Sequence, residues 1–185
     1  MHPRAVVLVE GISDRVAVET LADRRDRDLA AEGVAVVSIG GAQSIGRFLQ
    51  RFGPRGLDLG LAGLYDAAEE GDFRRGLERA GLGPGLTREE MERLGFFACF
   101  ADLEDELIRA LGAATVERVV EAQGELGAFR TLQKQAPWRG RPTEAQLRRF
   151  LGSGGGRKIR YGRLLVEALE LDRVPRPLDC VLAHV

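Results

Sequence analysis

The sequence predicts an α/β fold in which a parallel sheet is flanked by helices and followed by a helical C-terminal part. Short apolar runs of strand length alternate with amphipathic stretches of helix length over residues 1–112. Carboxylates follow several of these runs directly, at the place where open parallel sheets bind ligands. Beyond residue 112 the apolar spacing is helical. We therefore assign an α/β core to residues 1–112 and a helical part, packed on the same domain, to residues 113–185.

The first strand and helix organise the rest of the chain. Residues 5–9 are apolar and rich in β-branched side chains, the pattern of a strand buried on both faces. Glu10 closes this strand, Gly11 allows a turn, and Ser13 is placed to cap the next helix. Asp14 follows in the first helical turn, so that Glu10 and Asp14 can share one divalent cation. From spacing alone, an alternative stays open in which Asp14 favours the helix N-terminus and Glu10 pairs with an arginine.

Two further strand and helix units follow. Residues 33–39 form the second strand, and residues 45–52 have the apolar spacing of a helix. The third strand, residues 59–64, is followed by Asp66. If the first and third strands are neighbours, Asp66 lies at the same sheet edge as Glu10, which is the arrangement that a divalent-metal site needs.

The fourth strand, residues 95–100, is followed by a strongly acidic segment. If the chain stays extended there, Asp102 and Glu104 face the same way and can bind a second metal ion. If a helix has already begun, Asp102 is its N-cap and Asp105 lies three residues into it. The sequence leaves both arrangements open.

The composition indicates a globular protein without a dominant charge. The 185 residues include 27 Lys and Arg against 28 Asp and Glu, so nucleic acid has to be bound by local patches rather than by a global basic field. Two cysteines and two histidines are too few and too dispersed for a structural zinc site, a haem or a His-based triad. Cys99, in a strand-like setting, is expected to be a buried thiol. Without a signal-peptide-like start or an apolar stretch of about 18 residues, we expect a cytoplasmic protein with no membrane partner.

A loop at residues 137–142 combines an aromatic ring with two arginines. Trp138 is followed by Arg139 and Arg141, a combination that is useful for binding nucleic acid. A tryptophan that anchors the loop on the core is the more common arrangement, and this alternative stays open.

A glycine run at residues 152–156 precedes a basic helix. It is not a P-loop, because Arg157 stands where glycine is required and Ile159 stands where Ser or Thr is required. Glycines that enter a helix still expose backbone N–H groups, and Arg157, Lys158 and Arg160 add enough positive charge to contact a few backbone phosphates. A solvated basic helix start is the alternative.

Three motifs resemble those of Toprim domains, the catalytic module of topoisomerases, bacterial primases and the overcoming-lysogenization-defect (OLD) nucleases. EGISD at residues 10–14 resembles the first Toprim motif. FADLEDEL at residues 100–107 resembles the acidic segment that follows the last core strand in OLD nucleases. GRK at residues 156–158 resembles the family's late GK-type motif. Together with the strand that ends near Asp66, these motifs occur in the family's order over nearly the whole chain.

The DxD motif of the family is only half matched. Asp66 corresponds to the first aspartate, and Ala68 stands in the second acidic position. Glu69 is a candidate substitute, although a shift of one residue changes the direction of a side chain along an extended backbone. Alternatively, Glu69 and Glu70 supply the negative charge that favours a helix N-terminus.

The resemblance implies a Toprim fold and an endonuclease that hydrolyses DNA phosphodiester bonds with two Mg²⁺ or Mn²⁺ ions. Glu10 and Lys158 would be catalytic, with Lys158 offsetting the charge that develops on the scissile phosphate. The implied ligands are Glu10, Asp14 and Asp66 for one ion, and Asp102 and Glu104 for the other.

The OLD nucleases join their Toprim domain to an ABC-type ATPase. This sequence has no Walker motif, so we expect a stand-alone module or one that works with a separate ATPase chain. DNA is the expected partner, while RNA and a homodimer stay open. Topoisomerase chemistry is disfavoured because it needs a nucleophilic tyrosine, and Tyr65 and Tyr161 are the only tyrosines. Two other functions stay open: a non-catalytic module that binds metal and nucleic acid, and a phosphohydrolase or nucleotidyltransferase acting on small phosphates.

Overall fold

A four-stranded parallel sheet forms the centre of the computed structural model, which describes residues 3–185. The strands are β1 (Ala5–Val9), β2 (Val34–Ser38), β3 (Gly60–Asp66) and β4 (Phe96–Cys99), in the order β2-β1-β3-β4. The predicted α/β fold with a parallel sheet is confirmed. The predicted end of β3 at residue 64 is wrong, because Asp66 pairs with Cys99 of β4 and the strand therefore includes Asp66. Cys99 is a free, buried thiol as predicted.

Helices cover both faces of the sheet. Those in the described residues are α1 (Ile12–Arg24), α2 (Ile45–Phe52), α3 (Glu70–Ala80), α4 (Arg88–Arg93), α5 (Leu103–Leu111), α6 (Ala113–Ala122), α7 (Leu126–Lys134), α8 (Thr143–Leu151), α9 (Gly155–Ala168) and α10 (Arg176–His184). Alternate side chains of β1 enter two cores. Val7 and Val9 pack with α1 and with the C-terminal helices, while Val6 and Leu8 pack with α2, α3 and α4. Within residues 3–185, no helix combines the length and the apolar character needed to cross a membrane.

The start of α1 differs from the prediction at Ser13. Gly11 is the N-cap, and its backbone N–H donates to the Asp14 carboxylate over 2.8 Å. Ser13 is buried inside the first helical turn, and its side chain makes no capping hydrogen bond. The prediction that Ser13 caps α1 is therefore wrong, because the carboxylate three positions into the helix reaches back to the N-cap amide first.

Helix α9 packs directly against α1. A Cβ atom on Gly162 would lie only 3.0 Å from the backbone oxygen of Ser13, so the two backbones approach closely. At the other end of the contact, the Arg24 guanidinium donates to the carbonyls of Val166 and Leu169 over 2.8 and 2.6 Å. This packing brings Lys158, in the first turn of α9, next to the first turn of α1. The boundary between residues 112 and 113 stays a prediction.

Candidate metal centre

The carboxyl ends of β1 and β3 meet where the order of the strands reverses. After β1 the chain passes to β2 on one side and returns to β3 on the other, and open α/β sheets bind ligands at such a point. Glu10 follows β1, and its backbone carbonyl accepts the N–H groups of Gly40 and Gly41 over 3.0 and 3.3 Å. Asp66 is the last residue of β3. Two predicted ligands therefore lie at one edge of the sheet.

Glu69 joins Glu10 and Asp66 in this cluster. One carboxylate oxygen from each of the three residues lies within 4.8 Å of the other two. A 3₁₀ turn at Ala67–Glu69, with Asp66 as its N-cap, explains the position of Glu69, because the tight turn folds the chain back towards the end of β3. Ala68 is exposed. The Asp-x-x-Glu spacing thus supplies the acid that the half-matched DxD motif lacks. Sequence reasoning missed the contribution of Glu69, because in an extended strand residues 66 and 69 would point to opposite faces.

The three carboxylates are crowded and poorly compensated. Oε2 of Glu10 and Oε2 of Glu69 are buried and have no hydrogen-bond partner among the described residues. The neighbouring Glu10 side chain, followed by burial and the nearby negative charges, raises the pKa of Glu69 to about 8. Burial, followed by the charge of Glu10, raises the pKa of Asp66 to about 7. Asp66 and Glu69 therefore tend to keep their protons near neutral pH, and a bound divalent cation would favour their ionised forms.

A second group of charges lies beside the triad, between α1, α5 and α9. Glu104 is 5% exposed, and the Lys158 ammonium is 3.4 Å from its carboxylate. Burial raises the pKa of Glu104 to about 7, while Lys158 acts in the opposite direction. Burial also raises the pKa of Asp14, which interacts electrostatically with Lys158 and with Glu10. Asp14 thus links the triad to the pair formed by Glu104 and Lys158.

Asp102 is the N-cap of α5. Its Oδ1 accepts the backbone N–H of Asp105 over 2.8 Å. Its Oδ2 accepts the Nε–H of Arg148 over 2.7 Å and lies 2.6 Å from Nη2 of the same guanidinium in an ion pair. Of the two arrangements that the sequence left open, the helical one is found. Asp102 and Glu104 therefore do not continue a strand, although both lie close enough to Asp66 to raise its pKa. Their role as ligands of a second ion stays a prediction.

Known proteins share this architecture. Residues 3–66 match the model of the "overcoming lysogenization defect protein-like, TOPRIM domain" family. Over residues 3–66, the chain is therefore similar to an OLD-like Toprim domain. The C-terminal region of the Xanthomonas campestris pv. campestris OLD protein, phased with platinum, is 25% identical over 99% of this chain and 92% of that chain, with a TM-score of 0.76. For the C-terminal region of the Burkholderia pseudomallei OLD protein, identity is 20% over 100% and 97% of the two chains, with a TM-score of 0.71. No curated protein matches the sequence significantly.

Two arginines that were predicted to contact nucleic acid are engaged within the protein. Arg157 donates to Oε1 of Glu125 over 3.0 and 3.2 Å, and its guanidinium carbon lies 4.3 Å from the ring centroid of Phe150. Arg160 pairs with the other oxygen of Glu125. Glu125 lies 32 residues before Arg157, so nothing in the local sequence indicates this pairing. Phosphate contacts by Arg157 and Arg160 stay a prediction, and they require competition with Glu125.

Both tyrosines of the domain are buried. Tyr65 stacks on Phe73 with the ring centroids 4.9 Å apart, and burial raises its pKa to about 12. Tyr161 donates its hydroxyl to Glu125 over 2.7 Å. Each has a relative exposure of 1%. Neither hydroxyl is therefore positioned to attack a DNA phosphate, which agrees with the expectation against topoisomerase chemistry.

Proposed function

We propose that the protein is a Mg²⁺- or Mn²⁺-dependent endonuclease that hydrolyses phosphodiester bonds in DNA. The observation that carries this proposal is the triad of Glu10, Asp66 and Glu69, assembled at the ligand-binding edge of an OLD-like Toprim fold. Two carboxylate oxygens of this triad are buried without a hydrogen-bond partner in the described part of the chain. Leaving such a charged group uncompensated costs at least about 1–3 kcal/mol, and a divalent cation would compensate it.

The chemistry of the donors fits hard divalent cations. Carboxylate oxygens are the ligands that Mg²⁺ and Mn²⁺ prefer, whereas zinc and copper sites rely on imidazole and thiolate groups. Among residues 3–185, acidic side chains outnumber basic ones at this edge of the sheet. Its acids are Glu10, Asp14, Asp66, Glu69, Asp102 and Glu104, and its basic residues are Arg148 and Lys158.

The residues have distinct roles in this proposal. Glu10, Asp66 and Glu69 hold one ion, while Asp14, Asp102 and Glu104 provide the carboxylates for a second. Bound divalent ions activate a water molecule for attack and stabilise the charge on the leaving oxygen. Lys158 favours the ionised form of Glu104, against the effect of burial, and adds a positive charge close to the site that the phosphate would occupy.

Cleavage of supercoiled and linear DNA, measured with Mg²⁺, Mn²⁺ or EDTA, tests the proposal. Wild-type protein is expected to cut only with metal, and Glu10→Gln is expected to be inactive. Glu19→Gln is the matched control, because Glu19 lies on the solvent side of α1 and forms an ion pair with Arg15, away from the triad. Full activity in Glu10→Gln, or equal activity in EDTA, would contradict the proposal.

Two outcomes would favour other functions. Metal binding and DNA binding without any cleavage would favour a non-catalytic module. Turnover of nucleotides or other small phosphates, without cleavage of polymers, would favour a phosphohydrolase or nucleotidyltransferase. DNA as the partner and a separate ATPase chain belong to the same proposal, and co-purification with an ATPase tests the second.

A further inference from the structure

An open cavity of about 400 Å³ lies beside the candidate metal centre. It is lined by the loop after α7, by helix α8 and by Asp102. The other side chains that matter here are Trp138, Arg141, Arg148 and Arg149. The cavity therefore shares Asp102 with the metal centre and contains the aromatic and basic loop for which the sequence left two interpretations open.

The charge inside the cavity is strongly positive. Arg148 is neutralised by Asp102. Within residues 3–185, the one hydrogen bond that Arg141 donates goes to the backbone carbonyl of Pro137, over 2.9 Å. Arg149 forms neither a hydrogen bond nor an ion pair in the same part of the chain. These two cations therefore have no carboxylate partner among the described residues, and an anionic ligand would satisfy both.

A hydrogen bond to its backbone carbonyl fixes Trp138, and its side chain lines the cavity. Gln146, which is 5% exposed, donates to the carbonyl of Trp138 over 2.8 Å. Gln133 donates in turn to the side-chain oxygen of Gln146 over 2.7 Å. The guanidinium carbon of Arg141 lies 5.6 Å from the centroid of the indole ring. The aromatic surface and the adjacent cation are therefore positioned before any ligand binds.

We propose that this cavity binds one unpaired nucleotide of a DNA strand whose phosphodiester backbone reaches the metal centre. The base stacks on Trp138, and the phosphate contacts Arg141 and Arg149. The volume is within the range of small-ligand sites, and a nucleotide combines the planar ring and the anion that the lining requires. This inference rests on the proposed function, because it assigns to that nuclease a preference for DNA with a single-stranded segment.

The fluorescence of Trp138 provides a direct test, because Trp138 is the only tryptophan of the protein. The full chain is titrated in EDTA with a short oligodeoxythymidylate, and the intrinsic fluorescence is recorded together with the anisotropy of a dye on the oligonucleotide. We expect quenching that follows the binding curve, weaker quenching by a duplex of the same length, and none by inorganic polyphosphate. Absence of quenching when the oligonucleotide binds would overturn the proposal, as would absence of binding.

Substitutions separate stacking from charge. Trp138→Leu is expected to weaken binding of the oligonucleotide at least about fivefold, the lower limit for loss of one stacked base, whereas Trp138→Phe retains most of the affinity. Arg149→Gln is expected to weaken binding, and Arg173→Gln, which changes an exposed arginine outside the cavity, is the control. Unchanged affinity in both Trp138→Leu and Arg149→Gln would overturn the proposal.

Binding and cleavage measurements together distinguish nucleotide binding in the cavity from nuclease activity at the metal centre. Binding in EDTA does not require the metal centre, so quenching without any metal-dependent cleavage would support the cavity and contradict the nuclease. Metal-dependent cleavage with no effect of either substitution on binding would support the nuclease and contradict the cavity.

Discussion

Glu69 lies three residues after Asp66 across a 3₁₀ turn, and a carboxylate oxygen of each lies within 4.8 Å of the other. This spacing gives the sheet edge a second acid from the end of β3, although Ala68 is not acidic. The turn determines the geometry, because it folds Glu69 back towards Asp66 at its N-cap and leaves Ala68 exposed.

We predict that Glu69 is needed for metal binding and that an acid at position 68 cannot replace it. Glu69→Ala is expected to weaken Mn²⁺ binding at least about tenfold, a conservative value because losing even an outer-shell partner has this effect. Adding Ala68→Asp to that variant is expected to restore little, because position 68 is exposed. Isothermal titration calorimetry measures both. Full recovery in the double variant would mean that residues 66–69 adopt an extended conformation.

The raised pKa of Asp66 predicts how the stability of the metal-free protein depends on pH. The pKa of Asp66 is about 7 in the folded chain, against 3.8 for the ordinary group, so the folded state retains a proton that the unfolded state has lost between these values. Through this group, stability is expected to fall as the pH rises from about 4 to about 7. Urea unfolding in EDTA at several pH values, compared between wild type and Asp66→Asn, measures the effect. An identical pH dependence in the two proteins would contradict it.

The pair formed by Lys158 and Glu104 predicts opposite effects of single and double substitution. Lys158→Met leaves a buried carboxylate without its cation, and we expect a loss of about 1–2 kcal/mol in the free energy of unfolding, since Lys158 itself is partly exposed. Adding Glu104→Gln removes the buried charge and is expected to recover most of this stability, but not the cleavage. Urea unfolding and the DNA cleavage assay measure the two effects. Additive losses of stability in the double variant would refute the coupling.

The close contact between α9 and α1 predicts that the cluster is sensitive to one glycine. Gly162→Ala places a methyl group 3.0 Å from the backbone oxygen of Ser13, so we expect a loss of about 1–3 kcal/mol in stability and weaker cleavage as Lys158 moves. Gly127→Ala in α7 is the matched control, because its added Cβ contacts nothing within 4 Å, and it is expected to stabilise by about 0.5–1 kcal/mol. Thermal unfolding compares the two. Equal stability of both variants would contradict the close approach.

We predict that substitution of Arg160 changes the salt dependence of DNA binding. If this exposed arginine exchanges Glu125 for a phosphate, Arg160→Gln lowers the slope of log K against log salt concentration by about 1. The same substitution leaves the slope unchanged if Arg160 serves only the internal pair. Fluorescence anisotropy with labelled DNA at several salt concentrations distinguishes the two results.

The sequence was informative wherever neighbouring residues determine the structure. The β-branched run at β1 and the apolar spacing of α2 predicted these elements, because burial periodicity is a local property. Carboxylates at the ends of strands predicted the edge of the sheet for the same reason. The contribution of Glu69 depended on a 3₁₀ turn that residue types do not specify, and the capping of α1 depended on a competition between Ser13 and Asp14.

Long-range partners account for the remaining differences. The end of β3 is set by its ladder with β4, about 30 residues further along the chain. Arg157 and Arg160 were predicted to be available for phosphates, because their partner Glu125 lies far from them along the chain. Glu125 is adjacent to them only in the fold. Pairing of this kind depends on how the C-terminal helices pack, which no short window of sequence contains.

Anomalous scattering from crystals of the protein grown with Mn²⁺ tests whether the triad binds a divalent ion. We expect an anomalous peak coordinated by the carboxylates of Glu10, Asp66 and Glu69, and we expect this peak to disappear in Glu10→Gln. An empty triad at saturating Mn²⁺, or a peak that persists unchanged in that variant, would contradict it.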